Sequence, residues 1–215
     1  ALVILKMKDM KTYWKIAVVA TAGIFVACSK EQIKEEVPYD ENKVCLSILA
    51  GNPADASEAD GTKTSFGAEY SVVWNGADKI GFFIAEEQKN IEAGLTRTDG
   101  KAYFLANVNK WQESDMLYAY YPYSAENNGV SVSSVTLEIP AAQTQTSGFN
   151  GQYNPMVARP VSLPAESGTI EEPLKWKHLG AVVELQVKGT GEKVKSVTFS
   201  AEGCAGSFNY DIAET

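Results

Sequence analysis

The chain has 215 residues, of which 45% are hydrophobic and 21% are charged, and its formal net charge is −8. This length accommodates one large or two small domains with a buried core, and the acidic charge without a basic cluster disfavours a nucleic-acid partner. The single histidine, His178, excludes metal or catalytic sites that need several histidines.

An apolar segment, residues 16–27, lies near the start of the chain and follows two lysines. As a helix it would extend only about 18 Å, whereas the hydrocarbon core of a bilayer is roughly 30 Å thick. The segment therefore fits the hydrophobic part of a signal peptide, with a buried helix as the alternative. It ends at Cys28, and this junction resembles the lipobox of bacterial lipoproteins, where cleavage precedes a cysteine that is then acylated. We predict lipid on Cys28 and assign residues 1–27 to upstream sequence and signal peptide.

A charged tether, residues 28–43, follows the predicted lipidation site. Lysines and glutamates directly after such a cysteine resemble the surface-export signal of Gram-negative bacteria of the gut and mouth. A solvated linker is the alternative interpretation. Both interpretations place the mature chain outside the cytoplasm, and the first places it at the cell surface, anchored by lipid in the outer membrane.

Short strands are predicted from residue 44 onward, because apolar and polar residues alternate between clusters of Gly, Pro, Asn and Ser. The first strand, 44–50, places Val44, Leu46 and Ile48 on one face. The dipeptide Asn75-Gly76 predicts a tight turn that joins strands 70–74 and 80–85 into a hairpin. Further strands are predicted at 102–105, 116–121, 135–139, 156–162, 181–187, 194–200 and 207–210. With no helical stripe longer than two turns, this pattern indicates an all-β sandwich.

Two cysteines, Cys45 and Cys204, remain once Cys28 is assigned to lipid. Export outside the cytoplasm would permit a disulfide between them. Burial as unpaired core residues is the alternative, since Cys45 lies inside a strand pattern. The sequence leaves this choice open.

Residues that would carry catalysis are scarce. His178 precedes a predicted strand, where a lone histidine is more often a hydrogen-bonded structural residue than a catalyst. No nucleophile elbow, Walker loop or dinucleotide-binding glycine pattern occurs. The acidic segment 55–60 lacks the ligand spacing and the closing glutamate of a calcium loop. The sequence therefore predicts a protein that is not an enzyme and that uses no metal or cofactor.

The tyrosine-rich segment YAYYPY, residues 118–123, has two interpretations. Exposed aromatic rings bind sugars, which would suit a glycan-binding protein. Alternation places Tyr118 and Tyr120 on the same face of a strand, which suits core packing before a proline turn, and we expect this second arrangement.

Seven motifs occur in a defined order along the chain. They are GTKTSF (61–66), VWNGADKIGFF (73–83), YAYYPY (118–123), IPAAQT (139–144), LKWKHLGAVVELQV (174–187), VKSVTF (194–199) and AGSF (205–208). Together with the lipobox, this series resembles the fimbrillin family, lipoprotein precursors of fimbrial shaft, tip and anchor subunits. The resemblance covers residues 44–215, which would form the N-terminal β-sandwich domain.

The resemblance implies a transthyretin-like β-sandwich, with the chain truncated before a second sandwich. The implied partners are other fimbrial subunits or ligands on host or bacterial surfaces. In shaft subunits of the family, cleavage after an arginine frees the first strand, and a strand from a neighbouring subunit fills the resulting groove. Residues 44–50 would be the displaced strand here. No arginine lies between Cys28 and Arg97, which favours an anchor subunit, a tip subunit, or cleavage at a lysine such as Lys63.

A second function from a different class also fits the sequence. In this alternative the chain is a glycan-binding surface lipoprotein of a sugar-uptake system. Neighbouring genes for outer-membrane sugar transporters and glycosidases would favour it, whereas neighbouring genes for other fimbrillin-like lipoproteins would favour fimbria assembly or adhesion.

Overall fold

The computed structural model describes residues 40–51, 65–66, 72–143, 151–165, 168–181, 188, 200 and 202–215. The predictions of lipid on Cys28 and of cleavage at Lys63 concern residues outside this set. The predicted strands 181–187 and 194–200 also lie almost entirely outside it.

The described residues form short strands joined by turns. The strands are β1 (Lys43–Leu49), β2 (Ser65–Phe66), β3 (Val72–Val73), β4 (Lys79–Ile84), β5 (Gln88–Thr98), β6 (Lys101–Asn109), β7 (Met116–Tyr121), β8 (Val135–Ile139), β9 (Met156–Ala158), β10 (Val161–Ser162), β11 (Thr169–Ile170), β12 (Trp176–His178) and β13 (Gly206–Tyr210). Single 3₁₀ turns occur at Ala125–Asn127, Val132–Ser134, Gly151–Tyr153 and Ile212–Glu214. The predicted all-β, sandwich-like fold is confirmed.

One large curled sheet organises these strands, in the order β11-β1-β6-β5-β4-β7-β9-β12, with β10 also paired to β7. Its described pairings are antiparallel, except that β1 and β11 run parallel. Two smaller sheets consist of β8 with β13 and of β2 with β3.

Two hydrophobic cores lie on opposite faces of the large sheet. The larger core is built on one face and includes side chains from β1, β4, β6, β7 and β9. The smaller core joins the other face of β4, β7 and β9 to β8 and to the turn at Ile212–Glu214. In β4, Phe82 enters the larger core and Phe83 the smaller. Because β4 is buried on both faces, its sequence is a continuous apolar run rather than an alternating one.

The predicted hairpin across Asn75-Gly76 is wrong. The turn itself forms, with the Asp78 amide donating to the Asn75 carbonyl at 2.9 Å. However, β3 pairs with β2, while the two edges of β4 are taken by β5 and β7. Since no edge of β4 is left for β3, the turn redirects the chain between sheets instead of closing a hairpin.

Strand β5 is absent from the sequence predictions, which treat its beginning as the nearest approach to a helix. Its buried positions include two polar residues, Gln88 and Asn90, so the apolar alternation is lost. A bulge opposite Phe83 interrupts the register with β4, and Asn90 occupies it with φ 49°. This left-handed conformation is one that asparagine tolerates better than most residues.

Candidate functional site: the β1 slot

Strand β1 is held mainly by one neighbour. All seven of its residues pair with β6, from Lys43 opposite Asn109 to Leu49 opposite Tyr103. On its other edge, only Ser47 and Ile48 pair with β11. We call the position of β1 between β6 and β11 the β1 slot.

The predicted inward face of β1 is confirmed. Leu46 and Ile48 are fully buried in the larger core, and Val44 is half-buried at the start of the strand. The residues opposite these three on β6 are Val108, Ala106 and Phe104, and all are buried in the same core. Burying a Leu or Ile side chain contributes about 1.5–3 kcal/mol, so Leu46 and Ile48 together contribute about 3–6 kcal/mol to holding β1 in the slot.

The chain leaves the slot beneath two tryptophans. The Trp176 indole N–H donates to the Ala50 carbonyl at 2.7 Å, and the Trp74 indole N–H donates to the Gly51 carbonyl at 3.2 Å. Gly51 has φ +67°, and a Cβ there would lie 2.0 Å from the Leu174 carbonyl oxygen. Only glycine fits this close approach, so the exit from β1 is fixed at a defined position.

The outer edge of β1 carries a second close approach. The Ser47 amide donates to the Gly168 carbonyl at 2.6 Å. A Cβ on Gly168 would lie 2.3 Å from the carbonyl oxygen of Cys45. The short strand β11 therefore lies directly against the backbone of β1 and covers part of its edge.

The two cysteines of the described chain lie in different sheets. Cys45 is half-buried in β1, whereas Cys204 is exposed in the turn before β13. They are not bonded to each other, so the possible Cys45–Cys204 disulfide is not formed.

His178 is a hydrogen-bonded residue on a sheet edge, as predicted. It ends β12, and its Nδ1 lies 3.1 Å from the side-chain amide nitrogen of Asn154. Partial burial lowers the pKa of His178, which favours the neutral imidazole with Nδ1 as acceptor. In the part of the chain that the structure describes, no three His, Cys, Asp or Glu residues are placed to hold a metal ion.

The tyrosines of β7 belong to the two cores. Tyr118 and Tyr120 lie on the same face and pack in the smaller core, as the alternation predicts. The Tyr120 hydroxyl donates to Oδ1 of Asn90 at 2.5 Å, and burial raises the pKa of Tyr120. Tyr121 lies on the opposite face, in the larger core.

Asp78 is a buried polar residue that the sequence analysis did not single out. One carboxylate oxygen accepts a hydrogen bond from the Asn75 amide at 2.7 Å, and the other accepts from the Tyr121 hydroxyl at 2.9 Å. Asp78 thereby ties the Asn75–Asp78 turn to the end of β7. The spacing of Asn75 and Asp78 in the turn was the available signal, because an acidic side chain at this position often bonds its own turn.

Comparison with known protein families, with curated proteins and with solved structures gives no match for this chain. Among the residues that the structure describes, no helix is long and apolar enough to cross a membrane.

Proposed function

We propose that this chain is a non-enzymatic cell-surface lipoprotein that acts in fimbria assembly or adhesion and exchanges its first strand with a neighbouring subunit. The observation that supports this most strongly is the uneven hold on β1. Seven residues pair with β6 on one edge, but only two pair with β11 on the other. Such a strand can leave its slot without disturbing the rest of the sheet order.

An empty slot would be costly, which is the driving force of the proposal. Loss of β1 would expose Phe104, Ala106 and Val108, which face it across the pair. It would also leave the backbone groups of β6 unpaired along that edge. A second strand that restores both sets of contacts would bind the slot strongly.

The slot also defines what an incoming strand must look like. The strand has to run antiparallel to β6 and place apolar side chains where Leu46 and Ile48 now lie. Main-chain hydrogen bonds would then supply affinity, and the alternating pockets would supply selectivity. A second copy of β1 meets these requirements.

Release of β1 requires a cut on its C-terminal side, and Lys63 is the proposed position. It lies between β1 and β2 in a polar segment of the kind that proteases cut. Lys43 is the competing site. Because it is the first residue of β1, a cut after it would remove the tether and leave the strand in place.

Strand exchange is tested with a chain that lacks residues 1–50 and a labelled synthetic peptide of residues 43–50. We expect the peptide to bind this chain in equimolar amount, measured by fluorescence anisotropy. The control peptide carries Leu46→Lys and Ile48→Lys, which place charge in the larger core, and it should not bind. Equal binding of both peptides, or binding of neither, would contradict strand exchange.

The proposed anchor is lipid on Cys28, and its test is separate. Cys28→Ser should prevent maturation by the lipoprotein peptidase and abolish labelling by a palmitate analogue. Normal maturation and labelling of the serine variant would exclude Cys28 as the lipidation site.

The glycan-binding alternative is favoured by one observation. Tyr123, the last residue of the tyrosine-rich segment, is only half-buried and lines a surface cleft. Sugar-transporter genes beside this gene would support the alternative assignment to an uptake system.

A further inference from the structure

A cleft of about 370 Å³ lies between the Asn75–Asp78 turn, the corner after β7 and strand β8. We call it the tyrosine cleft. Its volume is at the lower end of the range typical of small-molecule sites. Its lining includes Lys79, Tyr123, Glu126, Glu138, Gln152 and Tyr153.

The walls of the tyrosine cleft are fixed by buried hydrogen bonds. On one side, Asp78 is 2% exposed and holds both the Asn75 turn and the Tyr121 hydroxyl. On the other side, fully buried Asn127 donates to the Thr136 carbonyl at 3.0 Å and accepts from the Thr136 amide at 2.8 Å. A ligand would therefore enter a cleft whose walls are already in position, which lowers the entropic cost of binding.

The aromatic side chains of the cleft have unused surface and unused hydroxyls. Tyr123 and Tyr153 are half-buried, and within the described part of the chain their hydroxyls have no hydrogen-bond partner. Pro122 and Pro140 also line the cleft and add rigid apolar surface. Tyrosine combines a flat apolar ring with a polar tip. This combination matches a sugar ring, which has an apolar face of C–H groups and an edge of hydroxyls.

The charged residues of the cleft favour a ligand that donates hydrogen bonds and carries no negative charge. Glu126 and Glu138 are exposed at the cleft and make no ion pair with another described residue. Lys79 bonds to Glu92 at 2.5 Å, so its charge is already balanced. Carboxylates accept strong hydrogen bonds from hydroxyl groups, whereas an anionic sugar would be repelled.

From these observations we propose that the tyrosine cleft binds a neutral saccharide, with its ring against Tyr123 or Tyr153 and its hydroxyls donating to Glu126 and Glu138. This binding does not depend on strand exchange, because the cleft is built from the other side of the sheet order, around β4, β7 and β8. A subunit assembled through the β1 slot would keep the cleft available.

The test is isothermal titration of the mature protein with a panel of neutral oligosaccharides built from glucose, mannose, galactose or N-acetylglucosamine. We expect at least one series to bind. Tyr153→Ala and Glu138→Gln should each weaken the binding at least tenfold. Tyr153→Phe should weaken it less than Tyr153→Ala, because the phenyl ring keeps the apolar contact and only the hydroxyl is lost.

Matched control variants are Tyr103→Ala and Glu113→Gln, a half-buried tyrosine and an exposed glutamate outside the cleft. Both should bind the saccharide like the unmodified protein. The proposal would be overturned if no neutral saccharide bound, or if the cleft variants bound as well as the controls. Binding restricted to acidic saccharides or to a lysine-rich peptide would overturn it as well. Circular dichroism of each variant shows that a loss of binding is not a loss of folding.

Discussion

Trp74 is the residue on which several parts of the larger core meet. It is 1% exposed, and its ring lies edge-on to Phe104 at 5.0 Å, Tyr121 at 5.3 Å and Trp176 at 5.4 Å. Its indole N–H also holds the exit from β1. The ring therefore contributes to the core and to the β1 slot at the same time.

Truncation of the buried aromatic residues should strongly destabilise the fold. We expect Trp74→Ala and Phe82→Ala each to lower the free energy of unfolding by about 3–5 kcal/mol, the range typical of large aromatic residues in cores. Urea denaturation measures this loss. Trp111→Ala, which truncates a half-buried tryptophan, should cost less. Nearly unchanged stability of both core variants would mean that these rings do not fill the core.

The stability of the protein should depend on pH through His178. Burial lowers the pKa of His178 in the folded state, whereas the unfolded chain has the ordinary value of about 6.5. As the pH falls below that value, the unfolded state takes up the proton first, so the free energy of unfolding decreases until the folded pKa is passed. Above about pH 6.5 the contribution is complete.

Because the chain has one histidine, the test is direct. Urea denaturation at pH 7.5 and pH 5.5 should show a larger loss of stability for the unmodified protein than for His178→Gln. An equal loss in both proteins would assign the pH dependence to carboxylates instead.

At the scale of elements, the contact of β11 with β1 depends on Gly168. A methyl group there would meet the Cys45 carbonyl oxygen at 2.3 Å. We expect Gly168→Ala to push β11 away from β1 and to destabilise the fold by about 1–3 kcal/mol, as overpacking does. Hydrogen exchange of the Ser47 amide, which bonds to Gly168, should become faster.

The matched control is Gly94→Ala in β5, where an added Cβ has no neighbour within 4 Å. Its effect on the exchange of the Ser47 amide should be negligible. Unchanged exchange in Gly168→Ala would mean that β11 does not restrain the outer edge of β1.

Strands with apolar alternation or a continuous apolar run could be read from the sequence. Residues 116–121 and 135–139 were predicted with the bounds that β7 and β8 have. The prediction for 156–162 was interrupted, because β9 ends before Arg159-Pro160 and β10 begins after them. Strand β5 was missed because Gln88 fills a buried position with an amide. This amide donates to the Asn109 carbonyl at 3.0 Å and accepts from its N–H at 2.7 Å, a tertiary contact that no local pattern reveals.

At the scale of the whole molecule, only part of the candidate site was accessible from the sequence. The inward face of β1, with Leu46 and Ile48, followed from period-two alternation. That β6 covers one edge completely while β11 covers two residues of the other depends on sheet order, which connects residues far apart in the chain. The tyrosine cleft has the same origin, since residues from 77 to 153 line it.

The central claim is that β1 can be exchanged between copies of this protein. Limited trypsin digestion of the full-length protein, followed by size-exclusion chromatography with mass detection, tests it most directly. We predict a first cut near Lys63 and then oligomers, because a released strand leaves a groove that a neighbouring strand fills. Lys63→Gln should slow this cut and keep the protein monomeric. A nicked protein that stays monomeric with residues 44–50 still bound would contradict the claim and favour an anchor or tip subunit.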